Sequence, residues 1–595
     1  MKNEYYIIYN PLTFNTMDLR VKKETTPVHL ISYLTGLDGF KLSNNNYLDY
    51  LNLDMLKQRE GMVETFAIES YAALYIGNQI AKHAPDKKVI QADGKRRTIH
   101  EVISSEGVKP KAVFITTMSP NFATAVATAI VLNHAKIPVV IGGIHVSTSH
   151  NDVNIFIKKY CPHPELVSQV KGPGDTQVIF QVVSDLNNSN LQNEYEGSLT
   201  VEDKVWPPLD NVKYMPPMNI EMLNRIPIIG DMLAKKMRII PVAPFLGCPF
   251  SCNFCSISTL PLNKRKLTIR NTEDFLDELE HYQKSGKLDS RFFFFLPDNL
   301  LLGGKKLEAI LDGIINRQLK VNIATQISIE VASNESLLEK LRQAGATHFF
   351  IGFESLDIKN LEFIGKHIVK QIKKSGLSVN EYYRTLIQKI QSYGISIHGA
   401  FIFGLPFDYF NSLEDNSAMN IAKFCVENHI GIQPCSLTEL PGSILFNESQ
   451  QRGEWLYGKQ GTMEYLAALC LTDLTEMNRI PPDQLDKSPL KVACMAFEAI
   501  SYAASTNTAI KNALFMMRKS FANPTFRGKR SLKERIFDSI YSFVSQLIVS
   551  LYKDQGDKVA FSNGNVRGAL ERLYDMEKNQ DIKKYFCEYV KKFRV

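Results

Sequence analysis

The first part of the chain alternates short apolar runs with longer helical stretches. Tyr5–Tyr9 (YYIIY) and Ala112–Thr117 (AVFITT) are rich in aromatic and β-branched residues, and 137–141 (IPVVI) is a third such run, ending on Gly142-Gly143. Residues 166–170 form a fourth and lead into Gly172-Pro173-Gly174-Asp175. The alanine-rich stretch Phe122–His134 and residues 176–186 carry helical patterning. Strands separated by helices of this length predict a parallel, doubly wound, Rossmann-like sheet over 1–190. Ligands on such a sheet lie beyond the carboxyl ends of the strands. Three turns of small residues fall there: Met118-Ser119-Pro120, Gly142-Gly143 and Gly172-Pro173-Gly174. Each alone is ordinary turn chemistry, but together on one edge they predict a ligand crevice. Residues 15–110 fit the pattern poorly.

Residues 191–238 are polar and then punctuated by Pro207, Pro208, Pro216 and Pro217, which predicts a linker. From 239 the alternation resumes. Strand candidates are 239–246, 291–296, 321–329, 348–353, Ser396–Phe403 and 430–437, with helices between them. One helix begins after Asn271, with Glu273 and Asp274 in its first turn and Phe275, Leu276, Leu279 and Tyr282 on one face. Another begins near Asn334 and stops at Gly345. Six strand–helix repeats predict a partial TIM-type (β/α)6 barrel over 239–450, with its chemistry at the carboxyl ends of the strands. Residues 366–381 read as a local insertion. Beyond 451 the β pattern fades, and 451–595 is expected to be a mainly helical domain. Its run 537–551 (FDSIYSFVSQLIVSL) reads as a packed helix, with a membrane-surface helix as the alternative. The fold class is α/β.

Composition narrows the picture. Of the 595 residues 44% are hydrophobic and 22% charged, which excludes disordered and fibrous classes. The net charge of +7 is uneven: from Lys511 onward 18 Lys and Arg face 9 Asp and Glu, so the rest is close to neutral. That basic end reads as a solvated helical face, or else as a docking surface for an acidic substrate. Without an aromatic-interleaved basic motif a nucleic-acid partner is not expected. No stretch reaches the roughly 18 apolar residues of a membrane span, and the N-terminus lacks the apolar core of a secretory signal. A cytoplasmic, reducing setting is expected, in which clustered cysteines point to metal or catalysis.

Residues 247–255 read Gly-Cys-Pro-Phe-Ser-Cys-Asn-Phe-Cys, directly after the first barrel strand. Cys248, Cys252 and Cys255 have no second Cys or His pair at regular spacing to complete a structural zinc site. Cys161, Cys425, Cys435, Cys470, Cys494 and Cys587 are scattered singly and read as small buried hydrophobes. Three thiolates on one short loop leave a cubane one iron short of full protein ligation. This C-x3-C-x2-C loop after the first strand of a partial barrel resembles that of the radical S-adenosylmethionine (SAM) superfamily. The resemblance implies a [4Fe–4S] cluster on these three cysteines. SAM would chelate the open iron and be split by an electron into a 5′-deoxyadenosyl radical.

The same resemblance implies further SAM contacts along the barrel. Phe254 matches the aromatic that lies against the adenine. Asp298 and Asn299, ending the second strand, would serve the methionine amine. Gln326 and Ser328 at the third strand, and Glu354 and Ser355 at the fourth, would reach the methionine and ribose. Gly404 lies in the fifth-strand segment near the adenine, and Leu437–Gly442 is similar to the sixth-strand turn. The α/β domain, linker and barrel together resemble the cobalamin-dependent branch of that superfamily. Met118, Ser119, Gly142, Gly143, Gly172 and Gly174 would then line a cobalamin edge. No Asp-x-His-x-x-Gly occurs, so no histidine is placed as a lower cobalt ligand, and His145 and His150 read as core or surface residues. The implied function is a methyltransferase acting at an unactivated carbon of a small-molecule or natural-product substrate. A reductant such as flavodoxin or ferredoxin would supply electrons. Radical rearrangement, cyclisation or oxidation, with cobalamin absent or non-methylating, is the alternative enzyme; a non-catalytic electron-transfer or corrinoid carrier is the alternative of another class.

Overall fold

The computed structural model describes residues 4–11, 70–92, 97–174, 176–197, 212–213, 239–261, 268–284, 292–409, 411–412, 414–453, 459–462 and 506–522, with isolated positions besides. Its first unit is built on β1 (Tyr5–Tyr9), α1 (Tyr71–His83), β2 (Lys88–Ala92), α2 (Ile99–Glu106), β3 (Ala112–Thr117), α3 (Phe122–His134), β4 (Val139–Gly143), α4 (Ile144–Thr148), α5 (Asp152–Phe156), β5 (Val167–Lys171) and α6 (Thr176–Asn187). With β6 (Glu194–Glu196) and β7 (Val212–Lys213) the strands pair in the order β6-β5-β4-β3-β1-β2-β7. Every pairing is parallel.

The period-2 alternation of the strands divides the core in two. Tyr5, Ile7, Val113, Ile115, Val139 and Ile141 pack with α2 and α3 on one face. Tyr6, Ile8, Phe114, Val140 and Val170 pack with α1 and α6 on the other. The sheet is therefore doubly wound. Two departures from the sequence reading concern its edges. The stretch read as a linker contributes both edge strands, β6 and β7, and three-residue and two-residue strands are too short to show a period. The region read as poorly matching holds α1, β2 and α2. Helix α1 shows no apolar stripe because two neighbours share it: Leu74 belongs to the barrel core, Ala73 and Ile80 to the sheet core.

The second unit carries β8 (Ile239–Val242), β9 (Phe245–Leu246), β10 (Thr268–Ile269), α7 (Thr272–Lys284), β11 (Phe292–Phe295), α8 (Gly304–Asn316), β12 (Asn322–Gln326), α9 (Glu335–Gln343), β13 (Ala346–Glu354), α10 (Ile358–Phe363), α11 (Val369–Ser375), α12 (Val379–Ser392), β14 (Ser396–Phe403), α13 (Ser417–Glu427), β15 (Gly431–Ser436) and α14 (Ile444–Arg452). Strands β8, β11, β12, β13, β14 and β15 pair side by side in chain order, all parallel. This is a six-stranded partial barrel. The run 239–246 breaks into β8 and a short β9, which pairs antiparallel with β10 and so closes a ribbon under the cysteine loop. Alternate residues of β13 (Phe349, Ile351 and Phe353) are buried under the helices. Gly352 and Glu354 take the inward register. Residues 366–381 are integral to the wall: they hold α11 and the start of α12, whose N-cap Ser378 forms a capping box with Glu381.

Helix α3 is buried on every side, which a surface helix would not be. Phe446, Tyr465, Leu466 and Leu469, from beyond the barrel strands, complete its core. Farther on, α15 (Thr506–Phe521) is helical as expected, while 537–551, apart from Ser539, lies outside the described residues. No helix among the described residues is long and apolar enough to cross a membrane.

At the junction of the two units Arg270 is fully buried. Its Nε donates to Asp274 at 2.7 Å, and its guanidinium also pairs with Glu278. Burial disfavours the charge, but Glu278 and Asp274 more than offset it and hold the guanidinium above its usual range. Replacing Arg270 with Met would strand two carboxylates. The expected cost is about 3 kcal/mol, read as a lower thermal unfolding midpoint; an unchanged midpoint would remove this cluster from the forces joining the units.

Candidate active site

The cysteine loop leaves β9 at Gly247, whose φ of +98° suits glycine. The Gly247 N–H donates to Asp298 Oδ2 at 2.9 Å, which ties the loop to the end of β11. Farther along, Asn253 Nδ2 donates to the Phe363 carbonyl at 2.7 Å and Asn253 N to that of Ile364 at 3.4 Å. Leu445 N in turn donates to the Asn253 carbonyl at 3.1 Å. The Gly442 carbonyl accepts from Thr259 N at 3.1 Å and Thr259 Oγ1 at 2.7 Å. The loop is thus pinned to the rim beyond β11, β13 and β15. Phe254 packs, partly buried, against the barrel core.

Cys248, Cys252 and Cys255 form no disulfide and are partly exposed. Burial pushes the Cys252 thiol up and the Cys255 thiol to about 11, with Cys252 and Cys248 close enough to add to the latter. Burial thus favours the protonated form of these two thiols, and iron binding would release their protons. Among the described residues no three His, Cys, Asp or Glu side chains converge as they would around one metal ion. A cubane does not ask for that, because each thiolate takes a different iron at a different corner. The donor set and its spread on one pinned loop fit a [4Fe–4S] cluster.

The other rim residues gather around this loop, each with its own task. Asp298 keeps one face to solvent; crowding by the loop pushes its carboxyl up, against the Gly247 hydrogen bond. Asn299 ties two strand ends together, accepting from Ser328 N at 3.0 Å and donating to Ser328 Oγ at 3.1 Å. It also accepts from Leu301 N, so its amide is spent on the rim itself. Gln326 is exposed at the end of β12. Glu354 ends β13 in the left-handed region at φ +66°, beside a register shift in the β13–β14 ladder. Such a conformation in a non-glycine residue is strained and persists only where its surroundings impose it.

Two groups that the sequence did not single out hold these positions. Lys366 Nζ pairs with Glu354 Oε1 at 2.8 Å. Burial alone would lower the Lys366 ammonium, but Glu354 outweighs it and raises its pKa. Asp408 Oδ2 accepts from Gly404 N at 2.7 Å and Leu405 N at 3.0 Å, shaping the turn after β14, where Gly404 has φ +83°. Asp408 Oδ1 accepts from Asn360 Nδ2 at 2.8 Å, and Asn360 Nδ2 also reaches Ser355 Oγ at 3.4 Å. A buried chain therefore couples the ends of β13 and β14. An Asp four residues after a Gly-Leu-Pro turn is a capping signal that sequence could have offered; the Lys366 pairing has no such signal.

The residues expected to line a cobalamin edge lie together at the carboxyl ends of β3, β4 and β5. Met118 is 54% exposed there. The missing Cβ of Gly143 has a task within the fold. A Cβ at Gly143 would lie 2.2 Å from the Thr117 carbonyl oxygen, and its φ is +111°, so the close approach is to the protein's own backbone. Gly142 leaves ordinary space, its nearest atom being Val170 O at 3.5 Å. Gly172 N donates to Ser147 Oγ at 2.9 Å, and Gly174 faces Ile76. Ser119 Oγ meets His145 Nδ1 at 3.0 Å, and His145 Nε2 meets Asp152 Oδ2 at 3.1 Å. His145 is fully buried with both ring nitrogens engaged, and His150 is exposed.

This edge touches the barrel rim. A Cβ on Gly442 would lie 2.1 Å from the Ser256 carbonyl oxygen, next to the last cysteine, and 2.4 Å from Thr148 Cγ2 of α4. The carboxyl edge of the sheet and the cysteine loop thus meet across one glycine.

Changing Cys248, Cys252 and Cys255 together to Ala is expected to remove the iron of anaerobically reconstituted protein, about four per chain in the wild type. Single changes of Cys425 or Cys435 should leave it in place. Retention of iron and of the reduced-cluster EPR signal by the triple variant would refute the assignment.

The family model of the radical SAM superfamily matches residues 242–415. Bacteriochlorophyllide d C-8(2)-methyltransferase of Chlorobaculum tepidum is 23% identical over 321 residues, 53% of this chain and 63% of that protein. Bacteriochlorophyllide d C-12(1)-methyltransferase of the same organism is 28% identical over 220 residues, 37% of this chain and 44% of that one. The similarity thus spans about half the length of these relatives. Among solved structures, the cobalamin-dependent S-adenosylmethionine radical enzyme OxsB with aqua-cobalamin bound aligns with a TM-score of 0.49 at 12% identity, covering 99% of this chain and 84% of that one. Residues 242–415 are thus similar to the radical SAM superfamily, and the cysteine loop lies within that stretch.

Proposed function

We propose that the chain is a cobalamin-dependent radical SAM methyltransferase acting at an unactivated carbon of a small-molecule substrate. The observation that carries this reading is the junction at Gly442, where the ligand edge of the doubly wound sheet meets the cysteine loop. A flat macrocycle on Met118, Gly142 and Gly172 would face the cluster across that junction. Two relatives named as methyltransferases support the same reading. When bound, the corrinoid would supply a methyl carrier, and SAM with the cluster would supply the radical that activates the substrate. The chain's own part is to bind, orient and exclude water. Phe254 would rest against the adenine, and Gln326 and Ser328 would reach the methionine end. Glu354, held by Lys366, would accept the ribose hydroxyls, with Ser355 and Gly404 completing the wall. Because Ser119 and Asp152 occupy both nitrogens of His145, cobalt would receive no imidazole from this residue. A flavodoxin or ferredoxin would serve as electron donor.

Glu354→Gln removes the charge that would hold the ribose. It is expected to weaken SAM binding about tenfold or more while iron content stays near wild type, as measured by equilibrium binding to reconstituted protein. Unchanged affinity would leave Glu354 a purely structural residue.

Anaerobic loading with hydroxocobalamin is expected to give about one corrinoid per chain, whose Co(II) EPR spectrum lacks nitrogen superhyperfine splitting from the protein. Gly142→Leu, which has room where Gly143→Leu has none, should lower bound corrinoid and methyl transfer and keep the iron–sulfur absorption. Wild-type protein that takes up no corrinoid yet forms 5′-deoxyadenosine would replace methyl transfer by radical rearrangement, cyclisation or oxidation.

A further inference from the structure

We infer that Lys366 is a positioning residue that sets the reduction potential of the cluster, working against Glu354 as its counter-charge. The inference rests on the assignment of the cluster to Cys248, Cys252 and Cys255. Its basis is the way the chain returns to the cysteine loop after α10. Gly365, at φ +72°, ends that helix, and Lys366 N closes the turn onto the Leu361 carbonyl at 2.9 Å. The same turn presents the Phe363 and Ile364 carbonyls to Asn253, the residue that follows Cys252. One residue farther, His367 stacks on Phe250 with ring centroids 4.5 Å apart and planes 17° apart. Its Nε2 lies 2.7 Å from Glu330 Oε1. Lys366 is thus fixed against the loop on both sides.

Lysine ordinarily keeps its ammonium in water. Here the side chain is only 16% exposed and that of its partner Glu354 10%. A charge held this way acts through a low effective dielectric. Reducing the cluster adds one electron from an external one-electron donor and makes the thiolate-bound group more negative. A fixed cation beside it favours the reduced form, and a fixed anion disfavours it. The pair therefore holds the potential by a difference of two opposed charges, and removing either one should move it in a predictable direction.

The test is a spectroelectrochemical titration of the reconstituted full chain without SAM, so that the SAM-binding role proposed for Glu354 does not enter. Lys366→Met is expected to lower the potential, cutting the reduced-to-oxidised ratio at the wild-type midpoint roughly tenfold, which is about 59 mV for a one-electron couple. Glu354→Gln should move it the other way. Lys366→Arg should stay near wild type, and the Lys366→Met, Glu354→Gln double variant should return toward it. A merely structural lysine would not produce shifts of opposite sign. If Lys366→Met loads about four irons per chain with its midpoint unmoved, the inference is overturned while the cluster assignment stands. If that variant fails to load iron, Glu354→Gln decides: an upward shift supports the inference, and no shift overturns it. Failure of the cluster assignment itself shows separately, as iron retained by the triple cysteine variant.

Discussion

The site depends on the pinning of one irregular loop by hydrogen bonds between the ends of parallel strands. Residues between Gly247 and Pro261 form neither a helix nor a strand of the barrel. Their place is set by Asp298 at one end, Asn253 in the middle and the Gly442 carbonyl at the other. Each such bond contributes only about 1 kcal/mol net. Together with the ribbon of β9 and β10, they confine the three cysteines. A cubane held by three corners needs that confinement, because a loose loop would pay the ordering entropy on binding.

The parallel arrangement makes such pinning available. All strands of a parallel sheet finish on the same side, so polar residues at the ends of β11, β12, β13 and β14 meet without any one sequence segment containing them. The two units use the same parallel arrangement. Helix α1 joins them by offering Leu74 to one core and Ile80 to the other, and Arg270 adds a buried charge cluster nearby. Gly442 marks how close they come, since a single added methyl would strike both.

Two buried polar chains fix the remaining degrees of freedom. Ser355, Asn360 and Asp408 couple the ends of β13 and β14, while Ser119, His145, Asp152 and Tyr465 couple the ligand edge to the segment after the barrel. Tyr465 Oη donates to Asp152 Oδ2 at 3.0 Å, and burial pushes its phenol well above the usual range. Partnered polar groups of this kind restrict alternatives more than they add stability.

The sequence by itself determined the strand order of the barrel and the spacing of the cysteine triad. Those features are written in local composition and local spacing: Ser396–Phe403 was legible because it is a run of strand length ending in aromatic and β-branched residues, and Cys248, Cys252 and Cys255 because eight residues of chain contain them all. Asp298, Asn299 and Glu354 were singled out by the family resemblance, and their place at the rim by the strand ends. Only the tertiary structure decided what each touches. Asn299 is spent on Ser328, Gly143 on Thr117, and Glu354 on Lys366 from a segment that read as an insertion. Helix α1 and the edge strands β6 and β7 were hidden for the same reason, since burial between two units or pairing over two or three residues leaves no period to read. Pairings between residues far apart in sequence arise from packing, and packing leaves no mark in local pattern.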